Sequence, residues 1–520
     1  MRRKGKVLLF MLVAVMLVIA GCSKGGSGSG GDARNIVIGV VTEPDTIDIH
    51  GTSSVGDANG APYDSLMEYD FDGNLIPNLI EEYEVADDGL SVTFHMRDDA
   101  KFHSGEPVTA EAIKQTFERL MDRSPFSTNV GTVENIEVID DTSFTIEWSE
   151  PFAPIFSNLT SQYLAPIDVS VLDEDGDGFE KNPIASGPLM VDEIKRGDSI
   201  IYKPFDEYYN WENDEPGFDE VKFRFITDDE TRVLEFKRGN VNVLLDVPFQ
   251  YVEELEEDEE VDIIRVPNYV MNYLGWNNKL PIFQDEKVRQ AIALAIDRDA
   301  IIQTTFNGEA TPIFGPLPPA TYGYSEDIEN MAKEKYTQDI EQAKQLLSEA
   351  GWEAGSGGVV EKDGEKFSVE LWVDNDPANQ RAAQIIQNQL MEIGIEINIS
   401  VMESAAIIEM TPQGQHEMLL WSFGWLDADV LNFLLFGDGK STRLHYEKEE
   451  IYSILEEAGM EMDTEKRLAM YEEAQKLLIE QSPWVPLYVK DGINAVRGFD
   501  KFEIHPIGNN IVWETIQMSE

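Results

Sequence analysis

The stretch FSVELWVDNDPANQRAAQIIQNQLMEIGIEINISV, residues 367–401, contains every part of a strand–helix–strand unit. Its first seven residues, 367–373, are mostly apolar and predict a strand. The middle has one apolar helical face, which is formed by Ala382, Ile385, Ile386, Leu390 and Ile393. Gly394 marks the helix end, and a second strand is predicted by the alternating Ile395, Ile397, Ile399 and Val401. Two strands joined through a helix by short links pair in parallel, so this stretch predicts an α/β fold class.

The flanking sequence adds hairpin and helical patterns to this unit. Residues 36–41 are an apolar run that predicts a buried strand. The strand-like stretches 133–139 and 143–148 are separated by acidic turn residues, which predicts a β-hairpin. Apolar spacing over 288–296 predicts one helix, and Asp339 followed by Gln342 predicts the start of another. The chain therefore combines hairpin-rich segments with α/β segments.

The N-terminal residues have the pattern of a secretory signal. Basic residues at positions 2, 3, 4 and 6 precede an apolar run over 7–20, and small residues precede Cys22. The apolar run is shorter than the roughly 20 residues of a membrane-spanning helix. Residues 1–21 are therefore predicted to be a signal peptide, and the Ser/Gly-rich stretch within 22–34 is predicted to be a flexible tether.

Cys22 is the single cysteine of the 520 residues. Its position resembles the lipobox of bacterial lipoproteins. The resemblance implies cleavage before Cys22, a lipid on its sulfur, and attachment to the outer face of the cytoplasmic membrane. Without a second cysteine, an intramolecular disulfide is excluded. Cysteine-ligated zinc and a thiol nucleophile are also excluded, because the lipid would occupy the Cys22 sulfur.

Length and charge restrict the class of protein further. About 490 residues follow the tether, which is too many for one hydrophobic core and predicts two or three domains. The chain has 40 Lys and Arg against 98 Asp and Glu, so its net charge is −58, or 36 − 98 = −62 without the four signal cations. This charge excludes nucleic acid as a partner. Because the acids are dispersed, we interpret them mainly as a solvated surface, with a preference for cationic ligands as the alternative.

Several segments, in order along the chain, resemble the extracellular solute-binding proteins of ABC importers, family 5. The segments that carry the resemblance are Glu43-Pro44-Asp45-Thr46-Ile47-Asp48, Leu75-Ile76-Pro77-Asn78-Leu79, Val92-Thr93-Phe94-His95-Met96-Arg97, Lys101-Phe102-His103-Ser104-Gly105-Glu106-Pro107-Val108, Ala185-Ser186-Gly187-Pro188-Leu189, Ala295-Ile296-Asp297-Arg298 and Pro483-Trp484-Val485-Pro486-Leu487-Tyr488. Residues 101–111 are the most diagnostic of these segments.

The resemblance implies a bilobed, periplasmic-binding-protein-like α/β fold with an extra small domain. Domain I would comprise residues 35–50, 182–270 and 487–520, domain II would be an insertion over 51–181, and domain III would span 271–486. Crossings near 268–275 and 484–489 would act as hinges, whose closure buries a ligand between the lobes. The family's partners are ABC permease subunits, and we expect a monomer.

Five residues are the predicted ligand contacts. The family pattern G-W-x-A-D is matched in part by Gly424-Trp425-Leu426-Asp427-Ala428-Asp429, where the fifth position is Ala428. Asp427 and Asp429 flank that position and could pair a ligand ammonium. Trp425 could offer its ring to a cation. Family members often contact the ligand at the position of Glu43, and Arg443, or alternatively Arg381, could bind a ligand carboxylate.

Other chemistry has less support in the sequence. The six histidines lack metal-site spacing, so no metal centre or cofactor is predicted. Residues 173–178 resemble the start of a calcium loop, but its twelfth position is Ile184 where a glutamate is needed. No G-x-S-x-G motif occurs, and we expect no enzymatic activity. The predicted function is capture of a peptide outside the cell for an ABC importer, and the alternative is a nickel chelate or another small cationic solute.

Overall fold

The largest α/β layer is a six-stranded sheet that contains the predicted strand–helix–strand unit. Its strands, in spatial order, are Thr311–Pro312, Trp484–Val489, Val270–Trp276, Met418–Gly424, Ser368–Asp374 and Glu396–Met402. Ser368–Asp374 and Glu396–Met402 pair in parallel, which confirms the prediction. The connecting helix, Pro377–Glu392, begins where the Asp376 carboxylate accepts two backbone N–H groups.

A computed structural model describes residues 34–52, 54–172, 179, 183–213, 215–266, 268–436, 443–508 and 510–519. The predicted signal peptide, Cys22 and the calcium-like stretch 173–178 lie outside the described residues.

A mixed sheet of seven strands forms the second large layer. Its strands, in spatial order, are Asp262–Val266, Gly492–Val496, Val243–Leu244, Asn35–Val40, Glu220–Phe225, Ser199–Pro204 and Leu189–Lys195. Asn35–Val40 lies inside this sheet and pairs in parallel with both neighbours, which confirms the predicted buried strand. Because both faces of the sheet are covered, this strand is apolar without alternation.

A smaller antiparallel sheet is built from the part of the sequence that lies between Asn35–Val40 and Leu189–Lys195. Its strands are Ile80–Val85, Ser91–Met96, Ser143–Trp148 and Val133–Asp140. The last two form the predicted hairpin. The remaining short strands pair as Met67–Tyr69 with Leu75–Pro77, Glu353–Ala354 with Val360–Lys362 and Glu365–Lys366, and Phe499–Lys501 with Gln517–Met518.

Helices cover these sheets. The longer helices are Ala110–Arg123, Asp229–Lys237, Glu286–Ala295, Arg298–Phe306, Glu326–Tyr336, Ile340–Glu349, Pro377–Glu392, Glu449–Met460 and Thr464–Gln481. Shorter helices are Asp57–Gly60, Ile155–Asn158, Val252–Glu256, Ser404–Met410 and Val430–Leu435. Single 3₁₀ turns are Ser127–Val130, Gln162–Leu164, Val169–Val171, Phe249–Tyr251, Pro281–Phe283, Ser356–Gly358 and Trp513–Thr515. Both predicted helices are present, and Asp339 caps the second by accepting the Gln342 N–H at 2.9 Å. Within the described part of the chain, no helix is long and apolar enough to span a membrane.

The chain crosses between the two large sheets twice. It crosses between Val266 and Val270, and again between Val489 and Gly492. The first crossing falls at the start of the predicted segment 268–275, and the second directly follows the predicted segment 484–489. Each large sheet has its own apolar core, and a third core surrounds the four-stranded sheet. Two large sheets with separate cores and two short connections make the fold bilobed.

Candidate ligand-binding site

Trp425, Asp427 and Asp429 share one loop, between strand Met418–Gly424 and helix Val430–Leu435. We call residues 425–429 the tryptophan loop. Hydrogen bonds from Tyr322 N–H to the Leu426 carbonyl, at 2.8 Å, and from the Thr321 hydroxyl to the Trp425 carbonyl, at 3.0 Å, hold its backbone. Trp425 is 38 % exposed and lies beside Phe433, with ring centroids 5.5 Å apart. Its exposed ring is therefore available to a ligand.

Asp427 lies in an internal ion pair rather than at a free surface. It is 1 % exposed, and its two oxygens accept from the Arg467 guanidinium at 2.9 and 2.7 Å. The Ser157 hydroxyl donates to the same carboxylate at 2.6 Å. Ser157 follows Ile155 and Phe156, which belong to the core of the four-stranded sheet, so this bond joins two cores. A ligand ammonium at Asp427 would have to compete with Arg467, and its role as a ligand contact stays a prediction.

Asp429 is the second acid of the tryptophan loop. Its backbone N–H donates to Asp427 at 2.8 Å, and its side chain receives a long hydrogen bond from the Tyr471 hydroxyl at 3.4 Å. Burial, followed by the neighbouring Asp427 charge, raises the pKa of Asp429 to about 6. Asp429 therefore differs from Asp427 in having no ion-pair partner among the described residues.

Glu43 and Arg443 lie elsewhere. The Glu43 carboxylate accepts the Gly197 N–H at 2.9 Å and lies 3.6 Å from the Arg196 guanidinium, in the hairpin that follows Leu189–Lys195. The Arg443 guanidinium carbon lies 5.6 Å from the Trp421 ring centroid on the six-stranded sheet. Among the described residues, neither Glu43 nor Arg443 forms a hydrogen bond or ion pair with the tryptophan loop.

A cavity of about 390 Å³ borders the tryptophan loop at Leu426. Its other walls come from residues 57–69 and 505–515, with contributions from Thr160, Gln162, Pro188, Asn210 and Glu212. We call it the junction cavity, because residues of the seven-stranded sheet's core, such as Tyr63 and Trp513, meet Leu426 of the tryptophan loop there. Ligand pockets in proteins typically enclose about 300–1,000 Å³. The junction cavity is therefore large enough for a small organic ligand.

Five carboxylates line the junction cavity: Asp57, Asp64, Glu68, Glu212 and Glu514. No lysine or arginine lines it within the described part of the chain. Glu212 has an external partner, Lys501, at 3.0 Å. The other four have no ion-pair partner among the described residues.

Neutral donors hold most of these acids in place. Asp64 accepts from the Asn78 amide at 2.8 Å and from the Tyr209 hydroxyl at 2.5 Å. The Tyr208 hydroxyl donates to Glu514 at 3.1 Å, and the Ile511 N–H donates to Asp57 at 3.1 Å. In contrast, the side chain of Glu68, which is half-buried in strand Met67–Tyr69, accepts no hydrogen bond in the described structure.

Burial makes three of the cavity acids, Asp57, Asp64 and Glu68, hold protons near neutral pH. Desolvation raises the pKa of Asp57 and of Asp64 to about 7. Desolvation, followed by the charges of Asp64 and Glu514, raises the pKa of Glu68 to about 8. The pKa of Glu514 is also raised by desolvation. The sequence did not point to this group, because its members come from distant segments and resemble the many surface acids.

Glu68→Gln is expected to stabilise the ligand-free protein at alkaline pH. Between about pH 4.5 and 8 the folded state keeps a proton on Glu68 that the unfolded state releases, so the free energy of unfolding falls as pH rises. One pKa unit corresponds to about 1.4 kcal/mol, and for this half-buried side chain we expect a gain of about 1–2 kcal/mol at pH 8.5 and little change at pH 5. Urea unfolding at both pH values measures the difference.

The matched control for this prediction is Glu193→Gln, in an exposed pair with Lys195. Its effect should stay within about 0.5 kcal/mol at either pH. An equal response of the two variants at pH 8.5 would contradict the raised pKa of Glu68.

A bilobed α/β fold with a cavity beside the tryptophan loop is an architecture that can enclose a small solute. The profile of the bacterial extracellular solute-binding proteins, family 5 (middle region), matches residues 74–443. The chain therefore belongs to this family of ABC-importer receptors, which places it outside the cytoplasm.

Individual relatives cover almost the whole chain. The glutathione-binding protein GsiB of Shigella dysenteriae serotype 1 is 27 % identical over 512 residues, which is 95 % of this chain and 94 % of the relative. NikA from Brucella suis, solved with Fe(III)-EDTA, is 21 % identical, with a TM-score of 0.81 over 93 % of this chain and all of that one. The oligopeptide-binding protein AppA from Bacillus subtilis, solved with a nonapeptide, is 23 % identical, with a TM-score of 0.70 over 94 % of this chain and all of that one. These two structures share the fold.

The described residues contain no candidate metal-binding site. No group of three or more His, Cys, Asp or Glu side chains converges there as a metal ion requires.

Proposed function

We propose that this protein captures a short peptide outside the cell and delivers it, chemically unchanged, to the permease of an ABC importer. The observation that carries the proposal is the junction cavity, which is bordered by the loop that presents Trp425. Its volume of about 390 Å³ lies near the lower end of the range for small-ligand pockets. That volume suits a short peptide better than a long one. The glutathione-binding and peptide-bound relatives support the same ligand class.

Contacts that cross the cores support a receptor that works by lobe closure. The Ser157 hydroxyl bonds to Asp427 at 2.6 Å, and the Ala153 N–H donates to the Gly459 carbonyl at 3.1 Å. Both bonds link the four-stranded sheet's side of the molecule to the region around the tryptophan loop. We infer that the two crossings between the large sheets act as hinges and that the permease recognises the closed form.

We further propose that the receptor is a lipoprotein and a monomer. Removal of residues 1–21 would leave Cys22 to carry the lipid, and the Ser/Gly-rich tether would let the receptor reach its permease. The N-terminal sequence pattern is the support for this anchor. Globomycin, which blocks lipoprotein signal cleavage, should cause the precursor to accumulate, whereas Cys22→Ser should prevent labelling with radioactive palmitate.

The test of the peptide proposal is thermal unfolding of residues 23–520 with di- to pentapeptides, glutathione and nickel with histidine. A ligand at 100 times its dissociation constant should add about 2.7 kcal/mol to the free energy of unfolding. We expect a shift with peptides, one ligand per chain by calorimetry, and recovery of unchanged peptide by mass spectrometry. A shift with nickel and histidine alone would replace the peptide assignment by the chelate alternative.

A cavity-filling pair of variants locates the site. Leu426→Trp places a large ring at the wall of the junction cavity, and we expect it to weaken peptide binding at least 10-fold. Leu234→Trp makes the same change at a surface position that is already exposed, and it should bind like the unaltered protein. Equal binding by both variants would place the ligand outside this cavity.

A further inference from the structure

We propose that the junction cavity selects a solute with net positive charge, such as a short peptide that contains lysine or arginine, and that Glu68 forms the main ion pair with its cationic group. This inference rests on the proposed function and specifies the ligand class of the same site.

The junction cavity has several carboxylates but no lysine or arginine on its wall in the described part of the chain. Asp57, Asp64, Glu68 and Glu514 line one cavity without an ion-pair partner among the described residues. Placing several carboxylates in a desolvated space is costly unless an opposite charge or a proton compensates them. A ligand cation can supply that charge, whereas a ligand with excess carboxylates would be repelled.

Two other buried acids of this chain, Asp48 and Asp427, are neutralised by arginines of the chain itself. Asp48 receives a two-pronged contact from Arg119 at 2.9 and 2.5 Å. Asp427 receives one from Arg467 at 2.9 and 2.7 Å. The junction cavity departs from this pattern, although it contains more carboxylates than either pair. The departure is consistent with a partner that enters from solution.

The Glu68 carboxylate on the cavity lining is open to a ligand donor. It is half-buried, and its side chain accepts no hydrogen bond from the described residues. Tyr69 also lines the cavity, but its hydroxyl lies beside Ser157 and the Asp427–Arg467 pair.

The lining also supplies aromatic side chains. Tyr63, Tyr69 and Trp513 belong to the wall together with the acids. Aromatic rings favour ammonium and guanidinium groups through their negative faces. Since no metal-sized cluster exists among the described residues, the geometry fits an extended organic cation better than a bare ion.

Binding of a cation should release protons. The groups around Glu68 are Asp64 and Glu514, whose charges raise its pKa, with Asp57, Glu212 and His505 also on the cavity wall. Lys501 compensates the charge of Glu212 in an ion pair, and the charge of Arg97 lowers the pKa of Asp64. A ligand cation favours the ionised carboxylates, so protons held near neutral pH leave when it binds and affinity rises from pH 6 to pH 8.

The test compares tripeptides that differ in one charge: Ala-Lys-Ala, its side-chain-acetylated form and Ala-Glu-Ala. Calorimetry of residues 23–520 at pH 7, in two buffers of different ionisation enthalpy, measures affinity and proton release. We expect Ala-Lys-Ala to bind at least 10-fold more tightly than the other two and to release protons. Glu68→Gln should remove most of that preference, and the control Glu193→Gln should keep it.

Other results of the binding measurements would overturn one proposal or both. Equal affinity for the lysine and acetyl-lysine peptides would overturn the charge selection and leave the peptide receptor standing. Tight binding of the diamine 1,4-diaminobutane with no peptide binding would support the cationic cavity and overturn the peptide proposal. Failure of every ligand to bind would overturn both. Glu514→Gln serves as a second variant. If Glu68→Gln and Glu514→Gln both keep the preference for Ala-Lys-Ala, the cation binds elsewhere.

Discussion

Asp427→Ala is expected to lower the free energy of unfolding by about 3–5 kcal/mol, because it leaves the Arg467 guanidinium buried without its counter-charge. Arg467 is 4 % exposed at its side chain and has the Asp427 carboxylate as a two-pronged partner. A guanidinium in a protein keeps its proton because its pKa lies above about 12, so Arg467 cannot escape the cost by becoming neutral. Urea unfolding of residues 23–520 at pH 7 measures the loss.

Two further variants separate this structural role from ligand contact. The double variant Asp427→Leu with Arg467→Met removes both charges together and should recover much of the stability, since replacing a buried ion pair by apolar groups is often neutral. Glu193→Ala, in the exposed pair with Lys195, should cost less than about 1 kcal/mol. Unchanged stability of Asp427→Ala combined with lost peptide binding would instead make Asp427 a ligand contact.

Gly187→Ala is expected to destabilise the protein by about 3 kcal/mol and to weaken ligand binding at the junction cavity. A Cβ atom on Gly187 would lie 2.7 Å from the carbonyl carbon and oxygen of Pro62 and 2.8 Å from the carbonyl carbon of Tyr63. The Gly187 N–H also donates to the Pro62 carbonyl at 2.9 Å, so the two backbones cannot separate without losing this bond. Overpacking against fixed atoms costs about 1–3 kcal/mol, and backbone neighbours place this site at the upper end.

Thermal unfolding and peptide calorimetry of the same preparation check this prediction. Tyr63 and Pro188 line the cavity, so displacement of either segment changes its shape. The matched control is Gly56→Ala, because Gly56 has extended backbone with φ −145° and no atom within 4 Å of the added Cβ. A Gly187→Ala protein as stable as the control would show that the two segments can move apart at little cost.

The sequence predicted the regular elements that depend on local pattern. The parallel pair Ser368–Asp374 and Glu396–Met402 was predictable, because one helix length with short links leaves the parallel crossover as the favoured pairing. The Asp339 cap was predictable because a short side chain before an apolar stripe satisfies the first free N–H groups.

The candidate site was predictable only in part. Trp425, Asp427 and Asp429 share a loop because they are adjacent in sequence, and the family motif pointed to them. The environment of Asp427 was not predictable, since its partners Arg467 and Ser157 are 40 and 270 residues away. No local rule distinguishes a carboxylate that meets a ligand from one that meets an arginine on another element.

Periodicity and capping thus specify the regular elements, because these properties depend on neighbours within a few residues. The bilobed fold and the candidate loop were implied by the resemblance to the family. The junction cavity depends on tertiary structure, which brings residues 57–69 and 505–515 together against Leu426. In the sequence, Asp57, Asp64, Glu68 and Glu514 look like any of the 98 acidic residues. Packing buries Asp64 and half-buries the other three without an ion-pair partner among the described residues, and the resulting desolvation raises their pKa values.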